Sequence, residues 1–128
     1  MKSDNAKHTR YNIETEVKFG FLRLMDVERL IDRTELDWSN QTLCEVNDCV
    51  VRLGVVKGEF HWHKHDKEDE FFFVLRGRLL VDLEGTTVEL MPNKGFTVPR
   101  GVLHRTRAPE RTAMLMIEGK TVKAVGDD

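Results

Sequence analysis

Between Thr42 and Ile117 the chain alternates short runs of apolar or β-branched residues with turn-forming pairs, a new run starting every eight to twelve residues. The runs cover residues 42–46, 49–56, 60–65, 71–75, 79–83, 86–90, 96–98, 104–106 and 112–117. Asn47-Asp48, Lys57-Gly58, Arg76-Gly77, Glu84-Gly85, Pro92-Asn93-Lys94-Gly95 and Pro99-Arg100-Gly101 punctuate them. Gly supplies positive φ, Pro fixes φ, and Asn or Asp closes turns through its own side chain, so these pairs interrupt strands. The pattern predicts an all-β fold, a sandwich or a barrel, and periodicity does not choose between them. Upstream, Val27, Leu30 and Ile31 within residues 26–32 stand at i, i+3 and i+4 and predict a short helix with Asp26 as its N-cap. Residues 1–25 read as an N-terminal arm, 26–118 as one domain and 119–128 as a tail, with residues 1–10 and the final Gly126, Asp127 and Asp128 expected to fray.

At 128 residues the chain suits one domain. It is 40% hydrophobic and 33% charged, and 20 Lys plus Arg against 22 Asp plus Glu give a net charge of −2. That balance argues against nucleic-acid binding by bulk charge. Apolar runs such as residues 71–75 are far below the roughly 18 residues of a membrane helix. The polar start MKSDNAKHTR lacks a signal peptide's apolar segment, so a cytosolic protein with no membrane partner is expected. Cys44 and Cys49 are then expected as free thiols. A two-residue turn at Asn47-Asp48 would pair Val46 with Cys49 and Cys44 with Val51, leaving the cysteines diagonal neighbours about 7 to 8 Å apart, beyond disulfide reach.

The chemistry concentrates in the histidines. His61, His63 and His65 alternate along one segment, and strand side chains two apart project to the same face, so a His-x-His pair can grip one ion. Glu70 follows His65 after a polar loop, and His104 follows the turn at Pro99-Arg100-Gly101. A lone strand histidine is more often an ordinary hydrogen-bonding partner, and Glu70 alone could be a solvated strand end. The combination is what points to a metal, and Mn, Fe, Co, Ni and Zn all accept imidazole and carboxylate. Spacing leaves two registers open, because His61-x-His63 followed by Glu68 is built like His63-x-His65 followed by Glu70.

Trp62-His63-Lys64-His65, with Asp69-Glu70, Phe72, Val74, Leu75 and Gly77, resembles the first motif of the small single-domain cupins, G-x5-H-x-H-x(3,4)-E-x6-G. Val98-Pro99-Arg100-Gly101-Val102-Leu103-His104 resembles the second, G-x5-P-x-G-x2-H-x3-N. The match spans roughly residues 42–118. It departs where the leading glycine falls on Lys57, with Gly58 one place off, and where the second motif's glycine and asparagine fall on Asn93 and Ala108. The resemblance implies a jelly-roll β-barrel of six or more strands, with a divalent transition metal held inside by His63, His65, Glu70 and His104. Gly77 favours that register, since Glu70 alone has a glycine seven residues later. Cupins include dioxygenases, isomerases, epimerases, lyases and non-catalytic sugar or effector binders, so fold implies class and not reaction. The resemblance also implies a homodimer.

Four protein ligands on an octahedral ion leave two positions for water or a chelating small molecule, and excess positive charge favours an anionic or polyhydroxy metabolite. Glu59 and His61 share strand parity with His63, so on a regular strand both face the cavity as candidate general bases, His61 also as a spare ligand; a bulge after Gly58 would break that parity. Tyr11, the only tyrosine, reaches the barrel only if the arm folds over it. Arg100, Arg105, Arg107 and Arg111 cluster around His104, but Arg105 and Arg107 have opposite parity to it and should face away. Met114 and Met116 read as core, Phe72 as core, and Phe71 and Phe73 as the opposite face, free to bury a sheet or dimer contact.

Overall fold

A computed structural model describes residues 11–127. In chain order the elements are β1 (Asn12–Glu14), α1 (Val27–Arg33), β2 (Trp38–Val46), β3 (Cys49–Glu59), β4 (Glu70–Arg76), β5 (Leu79–Leu83), β6 (Thr86–Leu90), β7 (Gly95–Val98) and β8 (His104–Gly119). The 16-residue β8 organises the sheet. Its outer flank pairs along most of its length with β3, while the other flank pairs first with β5, from His104 to Arg107, and then with β4, from Ala113 to Glu118. The hydrogen-bonded path runs β1-β2-β3-β8-β4-β7, with β5 carrying β6 off β8. This is the jelly-roll expected from the sequence, although the path ends at β1 and β7 and does not close into a hydrogen-bonded ring. No helix among the described residues is long and apolar enough to cross a membrane.

The largely apolar run of β3, interrupted by Arg52, reflects burial on both faces, as expected of a strand covered on two sides. Leu53 and Val55 pack with Leu43, Ala113 and Ile31 beneath α1, whereas Val56 joins Trp38, Phe72, Met114 and Met116 in the interior. Helix α1 begins as expected: the Asp26 carboxylate accepts from Arg29 N at 3.1 Å, satisfying one of the unpaired amides of the first turn. The β2–β3 hairpin also has the expected register, Val46 opposite Cys49 and Cys44 opposite Val51, and both cysteines are free.

Four expectations are corrected. The strand expected over 60–65 is absent; β3 ends at Glu59, and the following segment keeps only a bridge between His63 and His104. The runs at 104–106 and 112–117 are one strand, because Ala108 pairs with Gly58 and carries β8 through Pro109, an exposed residue at the place where β8 changes partners. The arm adds β1, parallel to β2, and buries Tyr11 against Trp38 and Phe60. Gly126 and Asp127 do not fray, since Gly126 N donates to Lys123 O and Asp127 N to Lys64 O, each at 2.8 Å. The expected fraying of residues 1–10 and of Asp128 lies outside the described residues.

Candidate metal centre

The segment between β3 and β4 carries His63 and His65 and is stitched to the start of β8, which His104 opens, and to the turn before it. His63 and His104 exchange both backbone hydrogen bonds, 2.9 Å in each direction, and Gly101 N donates to His65 O at 2.7 Å. Glu70 opens β4, opposite Glu118 of β8 and Val98 of β7. Three separate stretches of chain therefore deliver four buried side chains to one point. One donor atom from each of His63, His65, Glu70 and His104 lies within 4.8 Å of the others. Glu70 Oε1 is 3.3 Å from His65 Nε2 and 3.4 Å from His104 Nε2.

These contacts fit an ion better than a network of hydrogen bonds. Ligand bonds of about 2.1 Å place adjacent donors about 3 Å apart and opposite donors about 4.2 Å apart on a six-coordinate ion, so a slight contraction suffices. His63 Nδ1 lies 3.0 Å from His61 O and His104 Nδ1 lies 2.9 Å from Val102 O. A carbonyl only accepts, so each Nδ1 carries the ring proton and each Nε2 keeps its lone pair, the arrangement in which backbone carbonyls orient metal-bound imidazoles. Both ring nitrogens of His65 are buried without a hydrogen-bond partner. A buried imidazole without a protein partner is costly unless something else takes its lone pair.

The electrostatics point the same way. Burial and then the neighbouring His104 lower His63 to about 4, so its ring is neutral and available as a ligand near pH 7. Burial raises the Glu70 carboxyl, but the neighbouring His104, His65 and Glu118 outweigh it and hold the group well below the usual carboxylate range. Glu118 goes the opposite way: burial first, then the negative charge of Glu70, push it up to about 10. Arg52, 3.4 Å from Glu118 and only 3% exposed, pulls against that shift without reversing it. Glu118 thus holds a proton near neutral pH beside the buried Arg52 cation.

The alternative register fails because Glu68 accepts from Thr121 Oγ1 at 2.7 Å and is not one of the four converging groups. Glu59 does not enter the cavity. A register shift between Val56 and Gly58, with Gly58 at φ +107°, reverses the parity expected of a regular strand. Its exposed carboxylate pairs instead with Arg105 at 3.3 Å, while Phe60 turns inward. The His61 ring stands 5.4 Å from the His63 ring, but its Nε2 lies 2.6 Å from Val125 O, outside the four-residue cluster. Tyr11 does come to the barrel, where its hydroxyl donates to Glu59 O at 3.0 Å.

None of the four arginines joins the cluster. Arg105 Nε and Arg107 Nε grip the buried Asp82 at 2.8 and 2.7 Å, Arg100 pairs with Asp69, and Arg111 donates to Thr34 O and Leu36 O. Sequence reasoning missed Arg52 and Glu118. The signal was available: Arg52 is the one charge in an apolar run, and Glu118 shares parity with Met116 and Met114. A cavity of about 30 Å³ remains beside the cluster, bordered by Asn40, His63, Glu70, Met114 and Ala124.

The comparisons agree with this architecture. The Cupin_2 family model, a cupin domain, matches residues 50–118, a stretch that contains all four converging side chains. YdbB of Bacillus subtilis (strain 168) is 43% identical over 88 residues, 68% of this chain and 78% of YdbB. The polyketide synthase CurC of Streptomyces cyaneus is 42% identical over 45 residues, 35% of this chain and 29% of that protein. Among solved structures, a cupin-2 domain containing protein from Shewanella frigidimarina superposes with a TM-score of 0.72 at 29% identity, over 75% of this chain and 94% of its own. KdgF from Halomonas sp. gives a TM-score of 0.62 at 21% identity, over 70% and 85% of the two chains, a likeness of fold alone. This chain belongs to the Cupin_2 family.

Proposed function

We propose that this protein is a cytosolic, homodimeric metal-binding cupin in which His63, His65, Glu70 and His104 hold one divalent transition metal ion, of the group Mn, Fe, Co, Ni and Zn, and present it to a small anionic or polyhydroxy metabolite. The observation that carries this reading is the convergence of four buried donor atoms within 4.8 Å. Such an ion supplies Lewis acidity, the chemistry of an isomerase or epimerase, and with iron also that of a dioxygenase. The chain's own residues supply the rest. Two backbone carbonyls fix the ring tautomers of His63 and His104, and one carboxylate, Glu70, against a dication would leave net positive charge that attracts an anion.

A second reading, a module that binds the metabolite without turning it over, is favoured by one set of contacts. The Glu59 carboxylate pairs with Arg105, the Tyr11 hydroxyl is engaged by a backbone carbonyl, and His61 Nε2 is held by Val125 O, so each of these three acid–base candidates is turned to another partner. Elemental analysis of protein purified without added metal tests the metal site. About one transition metal ion per chain is expected, falling below about a tenth in His63→Ala and His104→Ala. Substoichiometric metal in the parent, or no loss in the variants, refutes the site; a product formed from any member of a metabolite panel excludes the non-catalytic reading.

A further inference from the structure

Beyond β8 the chain turns back across the segment that bears the histidines. Its root is anchored: Lys120 N donates to Asp48 O at 2.9 Å, Thr121 Oγ1 reaches Glu68 at 2.7 Å, and Val122 is buried. Its far end lies on the site. Ala124 borders the cavity beside His63, and Val125 O meets His61 Nε2 at 2.6 Å. Asp127 N donates to Lys64 O at 2.8 Å while Asp127 Oδ2 accepts from Asp66 N at 2.7 Å. Gly126, at φ +94°, passes so close that a Cβ there would stand 2.4 Å from His63 Cβ. Only glycine permits that approach.

With this segment in place the cavity of about 30 Å³ takes one or two waters, and a metabolite of several carbons does not fit. A few hydrogen bonds at a partly solvated edge are a reversible hold. We infer that residues 120–127 form a strap that gates small-molecule access to the four-residue cluster, pivoting on its buried root and released when the Asp127 contacts and the Gly126 approach are lost. This gate presupposes that the cluster is where small molecules arrive, and one arm of its test needs no metal.

The first arm loads the full chain with Co(II) and follows metal loss to excess EDTA by absorbance. Asp127→Ala removes an acceptor at the partly solvated edge, Gly126→Ala pushes the strap from His63, and Asp127→Asn keeps a side-chain acceptor. The first two are expected to lose metal at least tenfold faster than the parent at equal stoichiometry and equal thermal midpoint, with Asp127→Asn near the parent rate. The second arm treats metal-free protein with diethyl pyrocarbonate and measures His63 modification by peptide mass spectrometry. His63 is expected to react slowly in the parent and at least tenfold faster in Asp127→Ala and Gly126→Ala. Rates equal to the parent in both arms overturn the strap. If the parent takes up no Co(II), the metal reading of the cluster fails, and the His63 arm decides the strap alone.

Discussion

At the scale of single residues, the ion pairs of Asp82 tie a buried charge to stability. Asp82 is buried, yet it accepts from Arg107, Arg105 and Thr87, and hydrogen bonding from Arg107 holds its carboxyl far below the usual carboxylate range against the cost of burial. A carboxyl with a depressed folded-state pKa contributes stability that is complete above its unfolded value, near 3.8, and lost as pH falls through and below it. Acid unfolding of the parent should therefore steepen below about pH 4, where the unfolded chain takes up a proton that the folded chain resists. Asp82→Asn should flatten that limb while lowering stability at pH 7, and denaturant midpoints measured from pH 3 to pH 7 check both. An unchanged acid limb would show that the two arginines do not hold Asp82 ionised.

At the scale of elements, turns and bulges decide where side chains point. The hairpin between β4 and β5 depends on Gly77, at φ +83°, where a Cβ would lie 2.5 Å from Arg111 O and 2.6 Å from Thr112 Oγ1. Both the positive φ and the close approach exclude a side chain, giving a physical reason for the glycine that the motif places seven residues after Glu70. Gly77→Ala is expected to cost about 2 kcal/mol or more in chemical denaturation, because it strains a turn and displaces β8 backbone together. Gly58 contrasts with it. A Cβ there meets nothing within 4 Å, so only the left-handed conformation at the bulge selects glycine. That single bulge moves Glu59 from cavity to solvent.

At the scale of the whole molecule, the exposed apolar surface lies where the strand pattern did not place it. Phe71 and Phe73 are half-buried and stack at 6.4 Å, whereas Phe21, Leu22 and Leu24 are 83%, 105% and 94% exposed in the segment before α1. Three large apolar side chains within four residues, all exposed to water, supply a physical basis for the proposed homodimer. Light scattering at high micromolar concentration is expected to give the mass of two chains, and Leu22→Asp with Leu24→Asp to give one. A parent of one-chain mass at that concentration contradicts the dimer.

The amino-acid order by itself determined the strand-and-turn rhythm from Thr42 onward, the capped helix at Asp26 and the register of the β2–β3 hairpin, and its resemblance to the cupin motifs implied the four groups that meet at the candidate centre. Each of these rests on chemistry that is local or repeats at fixed spacing: two residues per strand face, an acceptor at a helix start, a turn pair, a motif. Tertiary structure alone decided that residues 60–65 leave the sheet, that Pro109 lies within one long β8, that Tyr11 and residues 120–127 pack onto the barrel, and that Arg52 and Glu118 meet behind Glu70. Those outcomes depend on partners distant in sequence. Bridging His63 to His104, pairing Gly58 with Ala108 and seating Gly126 on His63 all require the completed sheet, because only there are the competing local preferences outweighed by contacts between far segments.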